Sequence, residues 1–231
     1  MNGQRLVIRR FVGGPLLTVC YAAAVPGHGS IIIDAPRDAW QSAIDIAESM
    51  DAPPRIAIAT HGHWDHITDM SLMQQTGIPV AAHPADTGLL ADPHGQGLTL
   101  PFAVDPVSID RPIAEGDRIS VGPVEFRVLH TPGHTPGSVT IWAPEADALF
   151  TGDTLLKGGA GHTAEPGASL PALSVSVRRL AAFPESTTVY AGHGAPTTIG
   201  DETWLASLDD PDAPLLQWRP TSARGSADRR R

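Results

Sequence analysis

The chain has 231 residues, 42% of them hydrophobic, which is enough to enclose one substantial core and suits one α/β domain better than two small ones. Sixteen Lys and Arg against 25 Asp and Glu leave a formal charge of −9, so general electrostatic attraction to nucleic acid or to an anionic membrane is not expected. The lone cysteine, Cys20, cannot form an intramolecular disulfide, and the apolar runs are far too short to cross a bilayer, so a cytoplasmic protein is expected.

Short β-rich runs at Val7 to Val12, Leu16 to Ala22 and Ser30 to Asp34 are separated by Gly13-Gly14-Pro15 and Pro26-Gly27-His28-Gly29. These turn formers predict an opening antiparallel meander. Arg37 to Met50 sets Ala39, Trp40, Ala43, Ile44, Ile46 and Ala47 at helical spacing before Pro53-Pro54, which predicts an amphipathic helix. A strand is expected at Arg55 to Thr60, a helix at Asp65 to Thr76, a strand at Pro79 to Ala82 and a helical turn at Pro84 to Ala91. Asp92 to Pro106, rich in Pro and Gly, reads as a long surface loop. Strands return at Arg118 to Val121, Val124 to Leu129, Ser138 to Trp142 and Ala148 to Thr151, with a helix at Leu170 to Ala182 and a last strand at Thr188 to Ala191.

That order predicts a layered α/β fold over 1–218, with Trp204, Leu205, Leu208, Leu215, Leu216 and Trp218 expected to close the core, an interface being the alternative. From 219 to 231 the residues Arg219, Arg224, Arg229, Arg230 and Arg231 stand among Ser, Ala, Gly and Pro, which predicts a basic, disordered tail.

The chemistry concentrates in Thr60-His61-Gly62-His63-Trp64-Asp65-His66, directly after an apolar strand. Extended backbone sends alternate side chains to one face, so His61 and His63 can address one ion while Asp65 and His66 sit where a helix begins. Three more residues combine a ligand type with a glycine-rich turn after a strand: His134 in Pro132-Gly133-His134, Asp153 in Gly152-Asp153 and His193 in Gly192-His193-Gly194. Imidazole and carboxylate donors suit Zn, Fe or Mn, and no cysteine lies nearby to make a closed thiolate site.

The run Thr60 to His66 resembles the HxHxDH signature of the metallo-β-lactamase superfamily, and His134, Asp153 and His193 match its later motifs in order. Cys20-Tyr21 and Ile33-Asp34 also resemble its pattern. The resemblance implies a four-layer αββα sandwich with two divalent metal ions at one edge, zinc first and iron or manganese as alternatives. It further implies that His61, His63 and His134 hold one ion, that Asp65, His66 and His193 hold the other, and that Asp153 bridges them. Asp65 and Asp153 are then the catalytic carboxylates, and a hydroxide held between the metals attacks a carbonyl carbon.

Gly152-Asp153-Thr154-Leu155 before a glycine-rich loop is similar to the hydroxyacylglutathione hydrolases, or glyoxalase II group. The ending Thr197-Thr198-Ile199-Gly200 is similar to the short glyoxalase-II-like members. The implied activity is hydrolysis of a small-molecule thioester, with Lys157, the only lysine, and His162 as substrate-binding residues. A mononuclear iron persulfide (sulfur) dioxygenase is the alternative, needing only His61, His134 and Asp153; a lactonase or β-lactamase ranks lower. His28, His83 and His94 are read as surface or hydrogen-bonded histidines, and His130 as fixing its turn. Oligomeric state is not legible.

Overall fold

The computed structural model describes residues 5–97, 100, 102–210 and 214–217; Trp218 and the basic segment 219–231 lie outside them. Period-two alternation governs the first half. In β2 (Thr18–Val25), Val19, Tyr21, Ala23 and Val25 face one way while Cys20 and Ala22 face the other. The same division separates Ile31 and Ile33 from Ile32 in β3 (Gly29–Ile33), and Ile56 and Ile58 from Ala57 in β4 (Pro54–Ile58). Strands apolar on both faces must be covered on both, which is what the fold provides.

Six strands form the first sheet in sequential order: β1 (Val7–Gly13), β2, β3, β4, β5 (Val80–Ala82) and β6 (Arg111–Pro112). The first three pair antiparallel, as the turn formers predict, and β3 through β6 run parallel. The second sheet is ordered β12 (Thr197–Thr198), β11 (Thr188–Ala191), β10 (Ala148–Gly152), β9 (Val139–Ala143), β8 (Val124–His130) and β7 (Arg118–Val121). Between the sheets, Tyr21, Ile31, Ile33 and Ile58 pack with Phe126, Val128, Ile141 and Phe150. Helices α1 (Trp40–Ser49), α2 (Trp64–Ile67) and α3 (Met70–Gln75) cover the outer face of the first sheet. Helix α5 (Leu170–Ala181) and a 3-10 segment at Thr203–Asp209 cover that of the second, while the short α4 (Thr87–Ala91) carries Leu90 into the first outer core. The four layers αββα are those expected. Trp204, Leu205, Leu208 and Leu215 close the second outer core as expected, whereas Leu216 is exposed.

Several boundaries differ from expectation for identifiable reasons. Helix α1 starts at Trp40 instead of Arg37 because Asp38 takes a left-handed φ of 66° and its N–H donates to Asp69 Oδ2 at 2.7 Å. The single helix expected from Asp65 to Thr76 is two: the Asp69 N–H donates to Ala35 O, away from the helical ladder, and the Thr68 hydroxyl bonds back to Trp64 O. Leu17, at φ 56°, closes the Gly14–Leu17 turn, so β2 begins at Thr18 and runs on to Val25. The loop after Asp92 contains a 3-10 turn at Pro93–Gln96, capped by the Asp92 carboxylate accepting from the Gly95 N–H. Among the described residues no helix is long and apolar enough to cross a membrane.

Candidate metal centre

Strands β3, β4, β8, β10 and β11 all end at one edge of the two sheets, where Asp34, His61, His134, Asp153 and His193 follow them. Helix α2 adds Asp65 and His66 at the same edge, its first turn set just after His63. The sheets are stitched together here. Val19 N–H donates to Gly192 O and Val139 N–H to Thr60 O, each at 2.8 Å, and the Tyr21 hydroxyl donates to Ala191 O at 2.7 Å.

All seven residues expected as ligands converge. His61, His63 and His134 bring one nitrogen each to within 4.8 Å of one another; Asp65, His66 and His193 form a second such group, and His61, His66 and Asp153 a third between them. Asp153 Oδ2 lies 3.6 Å from His134 Nε2 and 3.4 Å from His193 Nε2, so one carboxylate touches both ends. His63 Nδ1 and His134 Nε2 face each other at 2.9 Å.

The far side of four of the five rings is held, His63 instead turning its Nδ1 inward. His66 Nδ1 is bound by Asp34 Oδ2 at 2.8 Å, His134 Nδ1 by His162 O at 2.7 Å, His193 Nδ1 by Leu16 O at 3.2 Å, and His61 Nδ1 by the Thr60 hydroxyl at 3.1 Å. Such partners fix the tautomer and leave Nε2 as the inward donor. Asp65 Oδ2 accepts from the Thr18 hydroxyl at 2.6 Å. Gly192 is required beside the centre: a Cβ there would run into Asp153 Oδ1 and lie 2.6 Å from His66 Cε1.

Three buried inward atoms, His61 Nε2, His66 Nε2 and Asp153 Oδ1, have no hydrogen-bond partner among the described residues. Orphaned polar atoms are costly in a protein interior, and here they share one point, so a cation fits the donor set. Burial first, then the neighbouring imidazoles, keeps His61 well below the usual histidine range; burial and then His134 push His63 down to about 3. His66 moves the other way. Burial opposes its charge, but Asp65, Asp34 and Asp153 outweigh that and raise it to about 10. Burial likewise opposes the carboxylates, yet the surrounding histidines hold Asp65 and Asp153 below the ordinary range. Neutral imidazoles and ionised carboxylates are the forms that bind a divalent ion.

A cavity of about 120 Å³ opens beside this cluster, lined in part by His63, Asp65, Leu16, Trp64, Leu89 and His162. The His162 ring lies parallel to that of His63 with centroids 6.4 Å apart. Lys157 is exposed and is not part of this lining. Of the other histidines, His83 stacks on His130 at 4.1 Å, His130 bonds Pro136 O within its own turn, and His94 accepts the Val104 N–H.

Four supporting residues escaped the sequence reading as site residues: Thr18, Asp34, Asp86 and Gln96. Buried Asp86 accepts from the Gly62 and Gly137 N–H groups and the Thr135 hydroxyl, tying the two histidine loops together. Gln96 accepts from the Trp64 N–H and donates to Gly62 O and Leu89 O. Only Asp34, immediately after an apolar run, carried a sequence signal.

The family model described as the metallo-beta-lactamase superfamily matches residues 13–193. The hydroxyacylglutathione hydrolase GloC of Haemophilus influenzae is 34% identical over 177 residues, covering 74% of this chain and 82% of that protein. Among solved structures, the BLEG-1 B3 metallo-beta-lactamase superposes with a TM-score of 0.78 at 29% identity, covering 85% of this chain and 96% of that one. A protein solved in a di-iron-bound form gives a TM-score of 0.72 at 34% identity, with 84% and 96% covered.

Proposed function

The chain belongs to the metallo-β-lactamase superfamily, and from that premise we propose that it is a two-metal hydrolase of small-molecule thioesters. The observation that carries this reading is the pairing of two three-residue donor groups through Asp153, next to a cavity. On this reading His61, His63 and His134 hold one ion, Asp65, His66 and His193 the other, and Asp153 reaches both. The ions, when bound, supply a Lewis acid for the substrate carbonyl and lower the pKa of a bound water. Zinc, iron and manganese all suit these donors.

The chain's own groups do the rest. Asp34, Thr60, and the carbonyls of Leu16 and His162 keep the imidazoles turned inward. Asp65 lines the cavity with Oδ2 fixed by Thr18, so its carboxylate is positioned to accept a hydrogen bond from the attacking water and orient it toward the carbonyl. Trp64 and Leu89 keep bulk water from the acyl group. His162, at the cavity wall, offers its imidazole to the substrate. The two-histidine, one-carboxylate iron dioxygenase reading uses only part of this set and leaves the equally well-formed group of Asp65, His66 and His193 without a role.

Elemental analysis for Zn, Fe and Mn, alongside a screen of thioesters, lactones and β-lactams, tests the reading. Two metals per chain, reduced in Asp153→Ala together with thioester turnover, support it. One iron per chain that survives His66→Ala and His193→Ala, with persulfide-dependent oxygen uptake, overturns it.

A further inference from the structure

The segment 161–169 supplies one wall of the cavity and is tied to the metal centre. At one end Gly161 N–H donates to Asp153 O at 2.9 Å, and His162 O accepts from His134 Nδ1 at 2.7 Å. At the other end Ser169 N–H donates to Gly133 O at 2.8 Å. Within it, Glu165 O closes a turn by accepting from Ala168 N–H at 3.1 Å. Glu165 is thereby carried to the cavity on a loop stapled at both ends, half-buried and without a side-chain hydrogen bond or ion pair among the described residues.

His63 and Asp65 form the metal-binding wall of the cavity, and away from that wall the lining offers Glu165 no charged partner. Leu16, Trp64, Leu89 and Pro166 are apolar. The Gln96 amide is spent on the backbone of Gly62, Trp64 and Leu89. His162 Nδ1 faces the Ala164 N–H at 3.5 Å, which turns Nε2 away from that backbone. No Lys or Arg lines the cavity among the described residues. An unpaired carboxylate in a narrow, mostly apolar cleft repels a second anion more strongly than it would in open water.

We propose that Glu165 sets the substrate class of this cavity: it admits a short apolar arm ending in a neutral or cationic group and rejects an arm ending in an anion. In calling that arm part of a thioester the assignment rests on the hydrolase reading above. It separates this chain from hydrolases that take glutathione thioesters, whose glutathionyl arm carries two carboxylates.

The test uses inert probes, so that binding is read apart from turnover. Three S-propyl thioethers carry trimethylammonium, hydroxyl or sulfonate at the end of a two-carbon arm, and their affinities for the metal-loaded protein are measured by calorimetry. The sulfonate should bind about tenfold more weakly than the trimethylammonium compound. Glu165→Gln should bring the two affinities together, and Glu165→Lys should reverse their order. Equal or tighter binding of the sulfonate by the natural protein, no binding of any probe, or an order unchanged in both variants would each overturn the assignment. Turnover of the matching S-propionyl thioesters is measured in parallel: probe binding that follows Glu165 with no thioester hydrolysis rejects the hydrolase reading and leaves the charge selection standing.

Discussion

The Asp34 carboxylate reaches His66 Nδ1 at 2.8 Å, with both side chains buried. The same carboxylate accepts the Thr60 amide at 2.8 Å and the Thr60 hydroxyl at 2.9 Å, and that hydroxyl meets His61 Nδ1. One side chain therefore sets the rotation of two imidazoles. Asp34→Asn should lower metal affinity about 10- to 100-fold, read as metal lost during dialysis against graded chelator. Retention equal to the natural protein would remove Asp34 from the orienting role.

His66 gives the metal-stripped protein a specific pH response. Its folded-state value is raised from 6.5 to about 10 by carboxylates that overcome burial, so its stabilisation is complete below 6.5 and is lost as the pH rises through 10. Denaturant unfolding of the stripped protein should show stability declining across that window. With metal bound, His66 donates as a neutral ligand and that particular decline should vanish. A stripped protein of constant stability between these limits contradicts the assignment of the raised value to His66.

Asp86→Ala should destabilise the fold by about 3 kcal/mol, because it strands two buried amides and leaves the Thr135 hydroxyl with Ser138 alone. The shift in the urea midpoint measures it. The loops it joins carry His61, His63 and His134, so metal retention should fall with stability, whereas Val175→Ala, at an exposed position, should change neither.

Cys20 is fully buried, and burial first, then the carboxylates of Asp34 and Asp69, push its thiol well up from the ordinary value. The thiolate is the reactive form. A maleimide at pH 8 should leave the folded protein unlabelled and modify it only after denaturation. Fast labelling of the native protein would show that β2 opens far more readily than its packing implies.

Continuous apolar runs made β3, β4 and β10 readable to within a few residues, and apolar alternation did the same for β8. Two-residue strands such as Arg111–Pro112 and Thr197–Thr198 have no period to read. The break between α2 and α3 was hidden for another reason: it depends on Ala35, a partner distant in sequence, taking the Asp69 amide. The site divides in the same way. Histidines and aspartates beside glycines announced themselves by density, but Asp86 is 51 residues from Gly137, and nothing local marks that contact. Local composition likewise pointed to Lys157 as the charge near the substrate, whereas the cavity wall presents Glu165.

Four of the seven converging residues, His61, His63, Asp65 and His66, follow a strand of the first sheet, and His134, Asp153 and His193 follow strands of the second. Neither half can complete the cage alone, and the stitches from Val19 to Gly192 and from Val139 to Thr60 form only when the halves meet. The complete donor set therefore exists only where the two halves are docked, and the sheet-to-sheet hydrogen bonds and the cage share one seam.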